Sequence, residues 1–333
     1  MLNIRPWKRL RRFIARQPIV GRGGILLYHR VAELAHDPWS IAVTPAEFAA
    51  HLAVLQKCAV CLRLESFLTR RAEGTLPRNA VALTFDDGYA DNLTAALPLL
   101  ETYGIPATLF ALSGFVGSNQ ETWWDRLLQA VFDSQDLPSE LEISIGGRKM
   151  TWKRPVDATD ADMRRALHGE LYDAFASVDT PEHEAAFAAL MRELSWKPQL
   201  RRSHRPLTND ELRELAASPL ISIGAHTRSH PYLVRVPPGR QQAELAGGKA
   251  DLEARLDRPI DMFAYPHGSF DATTVRLARE AGYNWGFNSV ASIVPHRIDP
   301  LRMPRISVEG MSDESFERFL TVHGIRQRRR ANG

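Results

Sequence analysis

The chain has 333 residues, 44% hydrophobic and 24% charged, a balance that allows a large buried core and excludes a disordered polar chain or a collagen-like rod. Its formal net charge is +3, but residues 1–30 hold eight Lys or Arg and no acid, and residues 326–330 hold four more Arg. Without those ends, 30 basic residues face 39 acidic ones, a net of −9, so the body lacks the basic face that phosphate tracking needs and nucleic acid is not an expected partner.

In chain order, the first element is a basic N-terminal segment, residues 1–22. Within it Leu2, Ile4, Trp7, Leu10, Phe13 and Ile14 alternate with Lys and Arg in a helical rhythm. Two readings stand: a solvated basic end, or a peripheral contact with an anionic membrane. No apolar run is long enough to span a bilayer, and the start lacks a secretory signal, so the expected location is cytoplasmic or peripheral at the inner face of the cell membrane. GILLYHRV (24–31) predicts a strand. A helix over about 45–57 follows, opened by Thr44 and Glu47 at capping-box spacing with Pro45 first inside. AVCLRL (59–64) reads as a second strand. The two cysteines, Cys58 and Cys61, cannot supply a disulfide framework or a four-cysteine zinc site, and the strand-like Leu62 and Leu64 favour buried thiols over a redox pair.

Helix-like ESFLTRRAEG leads to VALTFDDG (81–88), whose unalternating Val81, Ala82 and Leu83 suit a strand buried on both faces in a parallel sheet. Next come a helix to Gly104, the strand TLFAL, and a break in the rhythm from Gly114 to Leu220, longer than any ordinary link. This stretch carries four of the seven tryptophans (Trp123, Trp124, Trp152, Trp196) and helices near 123–132 and 160–177, which predicts an ordered, largely helical insertion at 118–206. It is read either as a shaper of substrate specificity or as a packing cap. After a Thr208–Glu211 capping box the alternation resumes with ISIGAH, a helix near 240–256, MFAYP, a helix over Asp271–Ala281, YNWGFNS, RISV and a last helix. The fold class is α/β, a sheet or barrel with parallel strands spanning 23–323, followed by a basic tail at 324–333.

Two motifs carry chemistry. TFDDG (84–88) ends a buried strand with Asp86 and Asp87. Successive strand residues point to opposite faces, so both carboxylates reach one site only where the strand stops. HTRSH (226–230) places His226 and His230 four apart, a spacing that brings both rings to one face of a helical turn. One Asp and two His form a facial set for zinc, iron or a related divalent metal, and the second Asp is positioned to act as general base toward a metal-activated water. Amide or ester hydrolysis follows.

TFDDG together with HTRSH resembles the polysaccharide deacetylase family (NodB-homology domain, carbohydrate esterase family 4) over about residues 24–310. The resemblance implies a distorted (β/α) barrel that removes acetyl groups from N-acetylhexosamine residues of a polysaccharide or lipid-linked glycan, with a divalent metal, zinc being the expected ion. It implies Asp86 as catalytic base and Asp87, His226 and His230 as metal ligands. FAYPHG (263–268) resembles the family's third motif and implies substrate contacts from Tyr265, Pro266 and His267, with the His267 backbone N–H on the oxyanion. Ala264 stands where many members have an arginine beside the base, a role open to Arg302 or Arg305. YNWGF resembles a degenerate fourth motif, with Trp285 in the acetyl pocket or in the core. The family's terminal histidine motif is missing. His29, at the end of the first strand, is the preferred general acid and His267 the second candidate. Two other readings remain: a silent glycan-binding barrel, favoured by the missing arginine and histidine, and a related metal-dependent hydrolase of small amides.

Overall fold

The computed structural model describes residues 23–155, 158–176, 178, 180–295 and 297–325. The basic segment 1–22 and the tail beyond Ile325 lie outside them. The sheet begins with β1 (Gly24–Tyr28), where every residue is buried. GILLYHRV is two elements rather than one. The chain breaks at His29, and β2 (Arg30–Val31) pairs instead with β3 (Ala42–Val43) in a small separate sheet. Helix α1 (Pro45–Cys58) carries the expected capping box, Glu47 N–H to Thr44 Oγ1 at 3.1 Å and Thr44 N–H to Glu47 Oε2 at 2.9 Å. β4 (Val60–Cys61) stops earlier than expected, because Leu64 starts helix α2 (Leu64–Ala72). Neither cysteine is in a disulfide, and burial pushes Cys61 up to about 12, which keeps it protonated.

β5 (Ala80–Asp87) is buried at all eight positions. A π-helical turn over Asn92–Ala96 and α3 (Leu97–Tyr103) lead to β6 (Ala107–Ala111). The insertion contains α4 (Trp123–Phe132), a hairpin of β7 (Glu140–Ile145) and β8 (Arg148–Lys153), then α5 (Asp160–Phe175) and α6 (Thr180–Glu193). The hairpin escaped the sequence reading, although β7 alternates exposed and buried residues along its length. Helix α7 (Asn209–Ala217), β9 (Ile221–Ala225), α8 (Pro238–Leu256), β10 (Met262–Ala264), α9 (Ala272–Glu280), β11 (Trp285–Phe287), β12 (Ile306–Ser307) and α10 (Asp313–Val322) complete the chain.

The main sheet is parallel, in the order β11-β10-β9-β6-β5-β1-β12, with β4 against the start of β5. Its edges approach each other through one short segment. Met303 bridges to β11, with Met303 N–H to Gly286 O and Asn288 N–H to Met303 O both at 2.8 Å, and three residues later Ile306 pairs with Leu26 of β1. The result is a distorted (β/α) barrel. All its strands run the same way, so their C-terminal ends share one face. Tyr28, Asp87, Ala225 and Ala264 are the last residues of four of them.

The insertion has a core of its own, built around Trp123, Leu127, Trp152, Leu167 and Phe187 and continuous with Tyr89, Leu112 and Phe115 of the barrel. A polar junction fixes the two together. Arg30, 1% exposed, donates from Nε and Nη2 to Asp91 Oδ2 at 3.0 and 2.9 Å and covers the Tyr89 ring at 4.1 Å. It also bonds the Ser203 carbonyl at the insertion's return. Replacing Arg30 by Met leaves the Asp91 carboxylate buried without its counter-ion. The expected cost is about 3–5 kcal/mol, read as a fall in the urea midpoint; an unchanged midpoint contradicts the assigned pairing.

Candidate metal and catalytic site

At the barrel's C-terminal face β5 ends in Asp86 and Asp87, 2% and 3% exposed. Pleating would send them to opposite sides, but Asp87 adopts φ 75° and Gly88 φ 88°, and this left-handed turn brings both carboxylates to the same space. Across from them HTRSH is not the helical turn expected from its spacing. It is an irregular loop with left-handed Thr227 (φ 69°) and His230 (φ 61°), and these turns, instead of helical periodicity, bring the rings together, with centroids 4.9 Å apart. The loop is pinned from below. Buried Glu244 of α8 accepts from Arg228 N–H and Ser229 N–H, both at 2.9 Å, and Thr227 Oγ1 accepts from His230 N–H at 3.1 Å. On its other side Ser113 N–H and Gly114 N–H donate to the Thr227 and Arg228 carbonyls, an approach so close that a Cβ on Gly114 would stand 2.6 Å from Arg228 O.

Asp87 Oδ1 lies 3.7 Å from His226 Nε2 and 3.7 Å from His230 Nε2, and one ligand atom from each of the three falls within 4.8 Å of the others. His226 Nδ1 stands 2.8 Å from the Ala264 carbonyl, which can only accept, so the proton is on Nδ1 and the Nε2 lone pair faces the carboxylates. Burial lowers the pKa of both imidazoles, reinforced at His230 by His267 and His226, and keeps them neutral. Burial, with Asp86 and Asp125 adding to it, drives Asp87 far above the usual carboxylate range, and its Oδ1 has no hydrogen-bond partner. A buried orphan carboxylate oxygen flanked by two neutral imidazoles fits a divalent cation by the chemistry of its donors.

Asp86 has the opposite environment. Burial is the largest influence and resists its ionisation, but the charge and hydrogen bonds of Arg305, together with His226 and His29, outweigh it, and the carboxyl titrates below the usual range. Arg305 makes a bidentate pair with it, Nη1 to Oδ1 and Nη2 to Oδ2 both at 2.7 Å, and is itself 1% exposed. Of the two candidates for the arginine absent at Ala264, the geometry selects Arg305. Arg302 is instead half-exposed near Asp299, 3.9 Å away.

Both carboxylates open into a cavity of about 210 Å3 that also receives His29, Tyr265 and His267. Burial lowers His29 to about 4 and His267 to about 3, so both are neutral at neutral pH. His267, left-handed at φ 56°, stacks on Tyr232 with centroids 3.6 Å apart and planes 3° apart. Tyr265 offers only its ring, since its hydroxyl donates to Leu301 O at 2.8 Å. Pro266 is buried and is not among the lining residues. Trp285 is displaced. It opens β11 at the end of the strand remote from the carboxylates and packs against the lower barrel core with Leu62, Val294 and Ile298, so it does not line this cavity. Besides the Tyr265 ring, the aromatic lining comes from Trp39, Trp124 and Tyr172. Trp39 carried no motif, and Trp124 was visible only as part of a tryptophan-rich insertion. A larger cavity of about 470 Å3 lies on the insertion side, with Trp124 in its lining, but none of Asp86, Asp87, His226 or His230 enters it. Chemistry and not volume locates the site.

A family model described as polysaccharide deacetylase matches residues 73–141 and 178–286, the two segments that carry TFDDG and HTRSH. The chain belongs to the polysaccharide deacetylase family. Among relatives it is 21% identical over 280 residues to the poly-beta-1,6-N-acetyl-D-glucosamine N-deacetylase of Staphylococcus aureus, covering 84% of this chain and 71% of that one. It is 21% identical over 299 residues to the Bacillus subtilis protein YxkH, covering 89% and 75%. Its fold is shared with the Streptococcus pyogenes deacetylase PplD solved with acetate (TM-score 0.56, 19% identity, 89% of this chain and 97% of that one). IcaB from Ammonifex degensii is similar at TM-score 0.56 and 20% identity, covering 90% and 95%. Among the described residues no helix is long and apolar enough to cross a membrane.

If Asp87, His226 and His230 form a cation site in this deacetylase, a chelator lowers the melting temperature and a stoichiometric divalent ion restores it. Occupancy at 100 times Kd is worth about 2.7 kcal/mol. His226→Ala removes both the shift and the bound metal; metal content equal to wild type would take His226 out of the ligand set.

Proposed function

We propose that the enzyme removes N-acetyl groups from N-acetylhexosamine residues of a polysaccharide or lipid-linked glycan, with poly-N-acetylglucosamine as the reference substrate, and that Asp86 is its general base. One observation carries this reading: adjacent carboxylates are prepared for opposite tasks, Asp86 held ionised by Arg305 and Asp87 left without a partner between two neutral imidazoles. Asp87, His226 and His230 would hold a divalent metal, zinc being the expected ion, which supplies Lewis acidity toward the amide carbonyl and the attacking water.

The chain's own groups do the proton work. Asp86 accepts a proton from water as its oxygen attacks the acetyl carbon, and Arg305 keeps that carboxylate charged and oriented until then. The His267 backbone N–H is the proposed donor to the oxyanion. Collapse breaks the C–N bond, and the departing amine needs a proton. His29 is the proposed carrier. With a pKa near 4 it rests as the neutral imidazole, so the proton it delivers must arrive during turnover, and Asp86 is the source electrostatically coupled to it. The silent-binder alternative drew on a missing arginine, and the bidentate Arg305 speaks against it.

Acetate release from N-acetylglucosamine oligomers by the metal-loaded enzyme tests the reaction. Asp86→Asn lowers kcat about 10³-fold or more while metal content stays near wild type, because the amide cannot take the proton. Full activity in that variant removes Asp86 as base.

Arg305→Met removes the charge and hydrogen bonds that do most to oppose burial at Asp86, which raises its pKa. A base is active when deprotonated, so the acidic limb of kcat/KM moves to higher pH in the variant, and Arg305→Lys moves it less. An unmoved limb contradicts the pairing as the cause of Asp86's charge.

His29→Asn reduces kcat on the N-acetyl oligomer by about 10²-fold or more, yet reduces hydrolysis of an aryl acetate far less, since a phenolate leaves without protonation. Equal losses on both substrates would assign His29 another role.

A further inference from the structure

The catalytic cavity has two kinds of lining, the polar cluster already described and an aromatic group that the proton chemistry does not use. That second group is assembled from three remote segments. Trp39 comes from the β2–β3 loop, Trp124 from α4 and Tyr172 from α5. Trp39 lies 5.4 Å from the Tyr172 ring, tilted by 43°, and 5.3 Å from His168, tilted by 57°. Trp39 and Tyr172 both remain part-exposed at the cavity, whereas Trp124 is 5% exposed.

These rings are held firmly. Asp37 staples the Trp39 loop by accepting from Ile41 N–H at 3.1 Å and Ala42 N–H at 2.9 Å. The Trp124 indole N–H donates to Tyr89 Oη at 2.8 Å, Tyr89 Oη donates to Asp125 Oδ2 at 2.6 Å, and the Trp124 ring rests 4.7 Å from His230. A part-exposed indole and phenol, fixed in place beside a polar cluster in one cavity, suit a ligand with a flat apolar face and a polar rim. A pyranose ring has that form, with axial C–H groups on its faces and hydroxyls around its edge.

We propose that Trp39 and Tyr172 form a stacking platform for the sugar ring whose acetyl group reacts, with Trp124 as the rigid wall between that ring and His230. The platform rests on the deacetylase reading above and deepens it. Barrel loop and insertion would together select a pyranose, so the insertion acts as a specificity element.

The test uses the full-length metal-loaded protein and a β-1,6-linked N-acetylglucosamine pentasaccharide. Trp39→Ala is expected to raise KM about tenfold with kcat changed less than about threefold, and Trp39→Tyr to restore most of the loss. Calorimetric Kd for the same pentasaccharide, measured in an Asp86→Asn background where nothing turns over, rises in parallel. Acetate release by wild type with KM and Kd indifferent to Trp39→Ala overturns the platform alone. A loss that falls on kcat and is not rescued by tyrosine also overturns it, since it marks a structural role. Binding that depends on Trp39 without acetate release supports the platform and sinks the deacetylase reading; neither binding nor release sinks both.

Discussion

Asp86 keeps a negative charge in a buried position because a guanidinium meets it with two 2.7 Å hydrogen bonds. The site's chemistry depends on that pair. Without it burial would push the carboxyl's pKa up, toward the neutral acid. The pair also has a structural position. Asp86 is the penultimate residue of β5 and Arg305 immediately precedes β12, with β1 between those strands in the sheet. Arg305 Nε further donates to Asn288 O, just beyond β11, at 3.2 Å. One side chain therefore ties Asp86 to the place where the barrel's edges meet. The charge of Asp86 and the closure of the sheet are coupled through a residue far along the chain.

Backbone strain gathers at the same mouth. Of the eight described non-glycine residues with positive φ, four are Asp87, Thr227, His230 and His267. Each left-handed residue of this kind costs about 1–2 kcal/mol, and the surroundings must hold it there. They do so with hydrogen bonds, from the 228–229 amides to Glu244 and between His226 and the Ala264 carbonyl, and with the Tyr232 ring stacked on His267. The strain has a geometric purpose. Strand pleating separates adjacent side chains, and only a left-handed turn at Asp87 places both carboxylates in one space.

Much of the fold was legible because its signals are local. The unalternating apolar runs of β1 and β5 mark strands buried on both faces, and Thr44–Glu47 and Thr208–Glu211 mark helix starts that form as capping boxes. Asp86, Asp87, His226 and His230 announced themselves by residue type at strand ends. What failed to show was set by tertiary context. HTRSH has helical spacing but a left-handed path, dictated by contacts with Glu244 and the 113–114 segment rather than by its own sequence. Trp285 sits in a motif-like string, yet its place in β11 faces the opposite end of the barrel. Trp39 lies in a loop with no periodic pattern, and its place beside the site arises only when α5 packs against it. Arg302 and Arg305 are equivalent in sequence, and only barrel closure distinguishes them.

The insertion is joined to the barrel by directed bonds as well as by apolar packing, and that choice has a consequence for the site. Apolar surfaces tolerate a slide of an ångström, whereas a chain of buried hydrogen bonds does not. Trp124, Tyr89 and Asp125 form such a chain, Arg30 lies over the Tyr89 ring and pairs with Asp91, and Asp91 Oδ1 also takes the Val31 N–H at 3.1 Å. Burial raises the pKa of both Asp91 and Asp125, and Arg30 opposes that rise in both, so one cation stabilises the two acids on either side of the junction. Arg30 directly follows His29. The strand break that presents His29 to the cavity is thus anchored by the same residues that anchor Trp124, and the polar and aromatic parts of the cavity lining keep a fixed spacing.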